Sequence, residues 1–182
     1  MRVSAGKFKG RNLHFPRNIR PSSQLHKKVI FDTIRPFLTN STFLDLYAGS
    51  GQIGIEALSQ GALRITFVEK NKLSIKSVTS NLQNCSIENK YYQIIHSNVS
   101  SFLSKTDEQF DIIFADPPYL NVNWHDFEQI SKLMTLGSIF ILKYSPKNPP
   151  PDFPGLTVFK TKDFQDTNLK FYRVSSSNFC DL

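Results

Sequence analysis

The residues best suited to chemistry are Asp116, Pro117, Pro118 and Tyr119, which directly follow an apolar run that reads DIIFA. Proline lacks a backbone N–H and fixes φ, so the two prolines stiffen the chain and leave carbonyl oxygens beside the carboxylate. Such acceptors fit an amine conjugated to an aromatic ring. Asp116 and the Pro117 carbonyl would hold its two hydrogens and favour pyramidalisation and positive charge during attack on a methyl group. Tyr119 offers a ring on which a flipped base can stack.

A second chemical signal is a glycine-rich loop between a predicted strand and a predicted helix. Gly49, Gly51 and Gly54 match the pattern GxGxxG, and Glu69 lies at the end of the next predicted strand. Glycines let a ligand approach bare backbone, and an acid in that position accepts hydrogen bonds from ribose hydroxyls. Both features fit a dinucleotide and S-adenosylmethionine (SAM) equally well.

Asp45, just before the loop, helps to separate these two cofactors. An acid would repel a pyrophosphate, which requires positive potential at a helix N-terminus, whereas SAM carries a sulfonium and an ammonium group. Asp45 could instead be a structural acid that binds backbone amides of the loop. Asn98, after the third predicted strand, could reach a nucleobase amine or cap the next helix. The predicted cofactor-binding residues are Asp45, Ala48, Gly49, Ser50, Gly51, Glu69 and Asn98.

The elements that must position these residues alternate between apolar strands and helices. Strands are predicted at 42–46, 64–68, 91–95, 111–115, 138–142, 156–159 and 169–174, and helices at 73–82, 100–103 and 127–134. An earlier helix is expected to start at Ser22 or Ser23 and to end or kink at Pro36. The alternation predicts an α/β fold with a mostly parallel sheet and helices on both faces, and ligands in such folds bind at the carboxyl ends of the strands.

The positive charge is concentrated at the start of the chain. Of a net charge of +7, residues 1–40 hold nine basic side chains and one acid, and the rest is near neutral. We therefore predict a basic extension at 1–40, with a small hairpin around Gly6 and Gly10, that binds nucleic acid, and a catalytic domain at 41–182. The residues predicted to contact the nucleic acid are Arg2, Lys7, Lys9, Arg11, Arg20, Lys27 and Lys28.

Composition excludes several other classes of protein. No apolar run of the 182 residues approaches the length of a membrane span, and the N-terminus lacks the apolar stretch of a secretory signal. The two cysteines, Cys85 and Cys180, lie far apart and form neither a disulfide framework nor a zinc motif. We expect a cytoplasmic protein without metal. A monomer is also expected, because no long exposed apolar stripe is evident.

Longer motifs resemble the RsmD-type methyltransferases, which modify a guanine N2 in 16S ribosomal RNA. The resemblance covers nearly the whole chain. It rests on the opening MRVSAGKFKGR, on RPSS at 20–23, on FLDLYAGSG at 43–51, on GIEALSQGA at 54–62, on FVE at 67–69 and on DPPY. The DPPY loop alone is shared with adenine methyltransferases, so the combination of motifs carries the resemblance.

The resemblance implies a seven-stranded Rossmann-like methyltransferase sheet, SAM as methyl donor and a ribosomal RNA substrate. It places the target guanine amine at Asp116 to Tyr119, and the adenine of SAM at Asn98. The chain departs from the family pattern at three places. Gln24 and Leu25 stand where an Asp and an Arg are frequent, and Phe164-Gln165 replaces a Tyr-Gly pair. After the fifth strand, where the family often carries an acid, the stretch is Leu142-Lys143-Tyr144-Ser145.

The sequence therefore predicts a SAM-dependent methyltransferase for the exocyclic N2 amine of a guanine in 16S ribosomal RNA or the small ribosomal subunit. An adenine-N6 methyltransferase acting on DNA or RNA is the first alternative, because the DPPY chemistry does not distinguish the two amines. An NAD-dependent oxidoreductase is disfavoured by Asp45 and by the DPPY loop. The remaining alternative is an RNA-binding module without catalytic activity.

Overall fold

The computed structural model describes residues 1–15, 23–119 and 122–175 of the chain. The described residues form four α-helices, which are α1 (Gln24–Leu38), α2 (Gln52–Ser59), α3 (Lys72–Asn84) and α4 (Val99–Leu103). The strands are β1 (Thr42–Leu46), β2 (Arg64–Glu69), β3 (Tyr92–His96), β4 (Phe110–Ala115), β5 (Met134–Tyr144), β6 (Leu156–Asp163) and β7 (Asn168–Val174). Short 3-10 helices lie at Asn89–Tyr91, Trp124–Phe127 and Ile130–Leu133.

The strands form a single seven-stranded sheet in the order β3-β2-β1-β4-β5-β7-β6. The first five strands in this order, β3, β2, β1, β4 and β5, pair in parallel. Strand β7 runs antiparallel to both β5 and β6. The strand order reverses between β1 and β4, which is where open α/β sheets bind ligands. The predicted fold, a mostly parallel seven-stranded Rossmann-like sheet, is confirmed.

Two buried clusters cover the two faces of the sheet, as alternation along buried strands requires. Phe43 of β1 packs into a cluster with α1, α2 and α3, whereas its neighbour Leu44 packs into a cluster with α4 and two of the 3-10 helices. The same alternation directs Asp45 and Glu69 toward the face covered by α1, α2 and α3. Among the described residues, no helix combines the length and apolar composition needed to cross a membrane.

The N-terminal segment, residues 1–15, packs against the helices on one face of the sheet. Its hairpin is limited to one antiparallel bridge between Arg2 and Asn12, and it buries Val3 and Leu13 in the cluster that contains α1 and α2. At Gly6, φ is +79°, and a Cβ atom there would lie 1.7 Å from the Ser59 carbonyl oxygen. Only glycine therefore fits this contact. The proposed boundary between residues 1–40 and 41–182 stays a prediction.

Two details of the predicted helices differ in the structure. Helix α1 starts after Ser23, whose side chain accepts a hydrogen bond from the His26 amide. It runs through Pro36 to Leu38, so an end before the proline is wrong, while the alternative of a kink at Pro36 stays a prediction. The helix predicted at 127–134 is wrong, because two 3-10 helices occupy that region before β5 begins at Met134. The buried residues there recur every third position at Phe127, Ile130 and Leu133, which matches the 3-10 repeat.

Candidate active site

A cavity of about 770 Å³ opens at the carboxyl ends of the strands. One part of its wall comes from the glycine loop, β2 and the start of α4, with Gly49, Glu69 and Asn98. Another part comes from the loop after β4, with Asp116 to Tyr119. The two chemical signals of the sequence therefore meet in one pocket, as the sheet topology predicts.

Positive φ angles shape the glycine loop. Gly49 and Gly51 have φ angles of 57° and 75°, a region that glycine adopts without steric cost. Tyr47 also has a positive φ, 58°, and lines the cavity. Burial raises the pKa of Tyr47 to about 12, with Asp126 adding to the effect, so its hydroxyl is uncharged at neutral pH. At Gly54, a Cβ atom would lie 2.3 Å from the Phe67 ring, so glycine permits the close packing of α2 on β2.

The Glu69 carboxylate is held at the end of β2 by backbone amides. Its Oε2 atom accepts from the Gly49 nitrogen at 2.8 Å and its Oε1 atom accepts from the Asn71 nitrogen at 2.8 Å. Each carboxylate oxygen has a second lone pair, so acceptor capacity remains for a ligand. The geometry fits the predicted position of an acid beside a bound ribose.

Asp45 lies beneath the loop and does not line the cavity among the described residues. It is 1% exposed, and its Oδ2 atom accepts from the Gly54 amide at 2.9 Å. Burial raises the pKa of Asp45 well above its usual range, and the charges of Asp116 and Glu69 add to this against the Gly54 hydrogen bond. The structural role considered for Asp45 is thus present in the geometry, whereas its contact with a cofactor stays a prediction.

The remaining predicted cofactor residues divide into two groups. Asn98 lines the cavity and also caps α4, since its Oδ1 atom accepts from the Ser101 amide at 2.7 Å. Ala48, Ser50 and Gly51 are buried within the loop and are not part of the described cavity wall. The Ser50 carbonyl accepts a hydrogen bond from the side-chain amide of Asn81 in α3 at 2.9 Å, which fixes the loop next to the cavity-lining Gly49.

The Asp116 carboxylate is engaged on both oxygens. Tyr119 donates from its hydroxyl to Oδ1 at 2.9 Å, and Lys143 donates from Nζ to Oδ2 at 2.7 Å. The Lys143 ammonium also lies 5.7 Å from the centre of the Tyr119 ring. Two residues of the motif and one lysine from β5 thus build a compact polar wall beside Pro117 and Pro118.

Lys143 lies in the stretch that departs from the family pattern after the fifth strand, and the sequence alone does not assign it to the site. The predicted fifth strand ended at residue 142, whereas β5 continues through Tyr144. In the parallel pairing of β4 with β5, Ala115 lies opposite Leu142, so the next residues, Asp116 and Lys143, come side by side. A lysine at the end of an otherwise apolar strand, level with the DPPY motif, was the available signal.

A third wall of the cavity joins the start of α1 to the turn between β6 and β7. The two ring nitrogens of His26 contact Ser23 Oγ at 2.9 Å and Thr167 Oγ1 at 3.0 Å. Burial lowers the pKa of His26, the Lys143 charge lowers it further, and the Asp116 charge opposes both. His26 is therefore uncharged at neutral pH. Its two ring contacts connect the start of α1 to the turn between β6 and β7.

Six of the seven residues predicted to contact RNA lie in the described part of the chain, and none of these six is part of the cavity wall. Arg2, Lys7, Lys9 and Arg11 are exposed on the N-terminal segment, and Lys28 is exposed on α1. Lys28 pairs with Asp32 at 2.6 Å. Arg20 lies outside the described residues, as does Cys180, whereas Cys85 is a buried free thiol.

Lys27 requires a correction, because the structure buries it rather than leaving it on a phosphate-binding surface. It is 1% exposed, and its Nζ atom lies 3.0 Å from Glu56 Oε2 and 3.2 Å from the Arg2 carbonyl oxygen. Glu56 also accepts from the Ser4 and Ala5 amides. Burial alone would raise the pKa of Glu56, but hydrogen bonds from Ser4 and Lys27 outweigh it and lower this pKa. The ion pair between Lys27 and Glu56 thus connects the N-terminal segment to α1 and α2.

Within the described residues, no group of three or more His, Cys, Asp or Glu side chains is placed to hold a metal ion. The cavity wall instead offers carboxylates, backbone amides and the Lys143 ammonium group.

Comparisons with known proteins point to one family. A sequence model of the family described as "Conserved hypothetical protein 95" matches residues 1–173. Ribosomal RNA small subunit methyltransferase D of Haemophilus influenzae is 33% identical over 123 residues, which are 65% of this chain and 64% of that protein. The chain spans less than two thirds of the length of the first curated relatives it matches.

Solved structures show the same fold. The Escherichia coli protein yhhF, provisionally named a methyltransferase, superposes with a TM-score of 0.86 over 97% of this chain and 98% of its own, at 23% identity. A more distant structure, the provisionally named methyltransferase SMU.776 complexed with SAH, gives a TM-score of 0.65 at 14% identity, over 79% of this chain and 49% of its own. Because the family match spans nearly all of the chain, the protein belongs to the RsmD-type family, the family described as Conserved hypothetical protein 95.

Proposed function

We propose that the chain is a SAM-dependent methyltransferase that modifies the exocyclic N2 amine of a guanine in 16S ribosomal RNA. The observation that carries the proposal is a single cavity that both predicted sites line. Gly49 and Glu69, at its Glu69 end, were predicted to bind the cofactor, and Asp116 to Tyr119, at its Asp116 end, were predicted to bind the target amine. Membership of the family and the name of the Haemophilus influenzae relative support the choice of substrate.

The Glu69 end suits the cofactor. Glu69 would accept hydrogen bonds from the ribose, Asn98 would face the adenine, and the bare backbone at Gly49 would let the ligand approach closely. When bound, SAM would supply an electrophilic methyl group. The shape of the loop would be held by its own buried residues Ala48, Ser50 and Gly51, and by Asp45, which accepts a hydrogen bond from the Gly54 amide. The SAH complex of SMU.776, which shares the fold, agrees with a ligand of this class.

The Asp116 end suits the amine. Asp116 and the Pro117 carbonyl would each accept one amine hydrogen and turn the nitrogen lone pair out of the plane of the base. Pro118 would keep that carbonyl in place by restricting the backbone, and Tyr119 would stack on the base. After transfer, Asp116 or water would take the proton that the methylated amine loses. No metal is required in this scheme.

The exposed basic residues of the N-terminal segment would hold RNA phosphates. Arg2, Lys7, Lys9, Arg11 and Lys28 carry this proposal, together with Arg20 outside the described residues. Lys27 is not among them, because its ammonium group is buried against Glu56. Helix α1, which carries Lys28, also contributes His26 to the cavity wall. A monomer remains the expected oligomeric state.

A transfer assay tests the proposed function. Radiolabelled SAM is incubated with unmodified 30S subunits and with protein-free 16S RNA, and the labelled nucleoside is then identified. We expect N2-methylguanosine, and the better substrate will place the step before or after subunit assembly. Label in N6-methyladenosine would keep the site chemistry and contradict the choice of base. Binding of SAM without transfer to either RNA would contradict the proposal. The same assay would then be repeated with DNA, and an absence of transfer there too would favour the RNA-binding module.

A further inference from the structure

Lys143 is the one ammonium group of the described residues in the cavity wall that contacts the DPPY carboxylate. Its side chain is 8% exposed, and the chain around it from Ile139 to Tyr144 is otherwise apolar. Placing a lysine there costs solvation of its charge, which the partner Asp116 offsets across 2.7 Å. A buried charge in a ligand cavity is a candidate for a functional role.

The hydrogen-bonding capacity of Lys143 is only partly used. An ammonium group carries three N–H donors, and Asp116 is its only hydrogen-bond acceptor among the residues that the structure describes. A donor that faces the cavity can bond to water or to a ligand, and the two remaining N–H groups are thus available to a bound base. Lys143 lines that cavity, which places these donors within reach of a ligand.

We propose that Lys143 is a substrate-positioning residue that donates a hydrogen bond to the unprotonated ring nitrogen next to the target amine. This inference rests on the proposed function. Asp116 and Lys143 present an acceptor and a donor side by side, which is the complement of an amine beside an imine nitrogen. In guanine that nitrogen is N3, while the other neighbour of the amine is the N1–H donor. Lys143 therefore admits guanine with N3 toward β5 and disfavours the reversed edge.

The charge of Lys143 determines which step it can assist. The target amine becomes positive as it is methylated, and a nearby cation opposes that change. Lys143 thus contributes to binding and orientation of the base, while Asp116 provides the stabilising negative charge. A variant without the ammonium group should raise KM for RNA by roughly 10- to 100-fold, the usual effect of a charged hydrogen bond, and should change kcat much less.

The test compares Lys143→Met with the wild type on two substrates. One is 16S RNA reconstituted into 30S subunits with guanosine at the modified position, and the other carries 3-deazaguanosine there, in which a C–H group replaces N3. Steady-state transfer gives KM and kcat, and RNA binding in the presence of S-adenosylhomocysteine gives affinity without reaction. Lys147→Met is the matched control, because Lys147 is exposed and lies four residues away.

We expect the wild type and Lys147→Met to lose roughly 10- to 100-fold in affinity and KM on the deaza substrate. Lys143→Met should treat both substrates alike within about twofold, and Lys143→Arg should restore discrimination because it keeps a donor. Equal discrimination by Lys143→Met and the wild type would overturn the inference, as would a loss confined to kcat. If the wild type methylates adenine instead, the proposed function fails, and 1-deazaadenosine replaces the analogue in the same comparison.

Discussion

The carboxylate of Glu69 accepts a hydrogen bond from the backbone nitrogen of Gly49 at 2.8 Å, although 20 residues separate them in sequence. Parallel pairing of β1 with β2 brings the glycine loop and the end of β2 to the same edge of the sheet. The acid and the loop therefore form one structural unit. Both residues line the same cavity.

Glu69→Gln should weaken SAM binding by roughly 10- to 100-fold, because hydrogen bonds from the ribose to a charged acceptor become bonds to a neutral one. The amide oxygen of Gln can still accept from one backbone amide, so the fold should persist. Isothermal titration calorimetry with SAM measures the change. Glu88→Gln is the control, since Glu88 is 65% exposed in its side chain and pairs with Lys90 at the surface. Equal affinities of the Glu69 variant and the control would contradict the role of Glu69.

Asp45→Asn should stabilise the protein at neutral pH. Burial raises the pKa of Asp45 well above the usual value of 3.8, so the folded state holds its proton to higher pH than the unfolded state does. The stability from the protonated acid is fully present below the unfolded pKa and is lost as pH rises through the folded pKa. An Asn side chain keeps an oxygen for the Gly54 amide without a charge to bury.

Urea unfolding between pH 4 and 8 tests this prediction. The free energy of unfolding of the Asn variant should exceed that of the wild type at pH 7, because the wild type must either bury a charge at Asp45 or hold a proton there that the unfolded state releases. The difference should shrink as the pH approaches 4. A difference that stays constant across this range would show that the Asp45 carboxyl does not titrate as its burial requires.

Lys27 and Lys28 are adjacent lysines with opposite surroundings. Lys27→Met should lower the free energy of unfolding by roughly 3–5 kcal/mol, because it leaves the buried Glu56 carboxylate without its cation. Lys28→Met should change stability by less than about 1 kcal/mol, because its pair with Asp32 is exposed. Thermal and urea unfolding of both variants provide the comparison. Similar losses of unfolding free energy in the two variants would contradict the stabilising role assigned to the Lys27–Glu56 ion pair.

Much of the fold could be predicted because its signals are local. Strand and helix alternation, the glycine loop and the DPPY motif are each read within a few residues, and the sheet topology then brings Gly49, Glu69 and Asp116 to one edge. The helix predicted at 127–134 was wrong because apolar residues three apart fit both an α-helix and successive 3-10 turns. Only packing against the sheet selects between them.

The sequence could not distinguish Lys27 from Lys28, because burial of a lysine depends on a distant partner. Glu56 lies 29 residues from Lys27, and the Ser4 and Ala5 amides that complete its shell come from another segment. Lys143 was missed for the same reason, since its role depends on the register of β5 against β4. Such long-range pairs are set by topology rather than by local pattern.

The exposed basic residues of the N-terminal segment give a prediction about RNA affinity. Replacing Lys7, Lys9 and Arg11 together by Gln should weaken rRNA binding and reduce the salt dependence of the association constant by about one unit of slope for each phosphate that is no longer neutralised. SAM affinity should not change, because these residues lie outside the described cavity wall. Filter binding at several salt concentrations measures both affinity and slope. An unchanged slope would place the RNA-binding surface elsewhere.

The central claim is that Asp116 holds the amine that receives the methyl group. The most direct test is single-turnover methyl transfer to unmodified 30S subunits by the wild type and by Asp116→Ala, with SAM affinity measured on the same preparations. We predict a loss of at least about 100-fold in transfer, as for removal of one catalytic hydrogen-bonding group, with SAM affinity within about threefold of the wild type. Transfer by Asp116→Ala at the wild-type rate would contradict the claim.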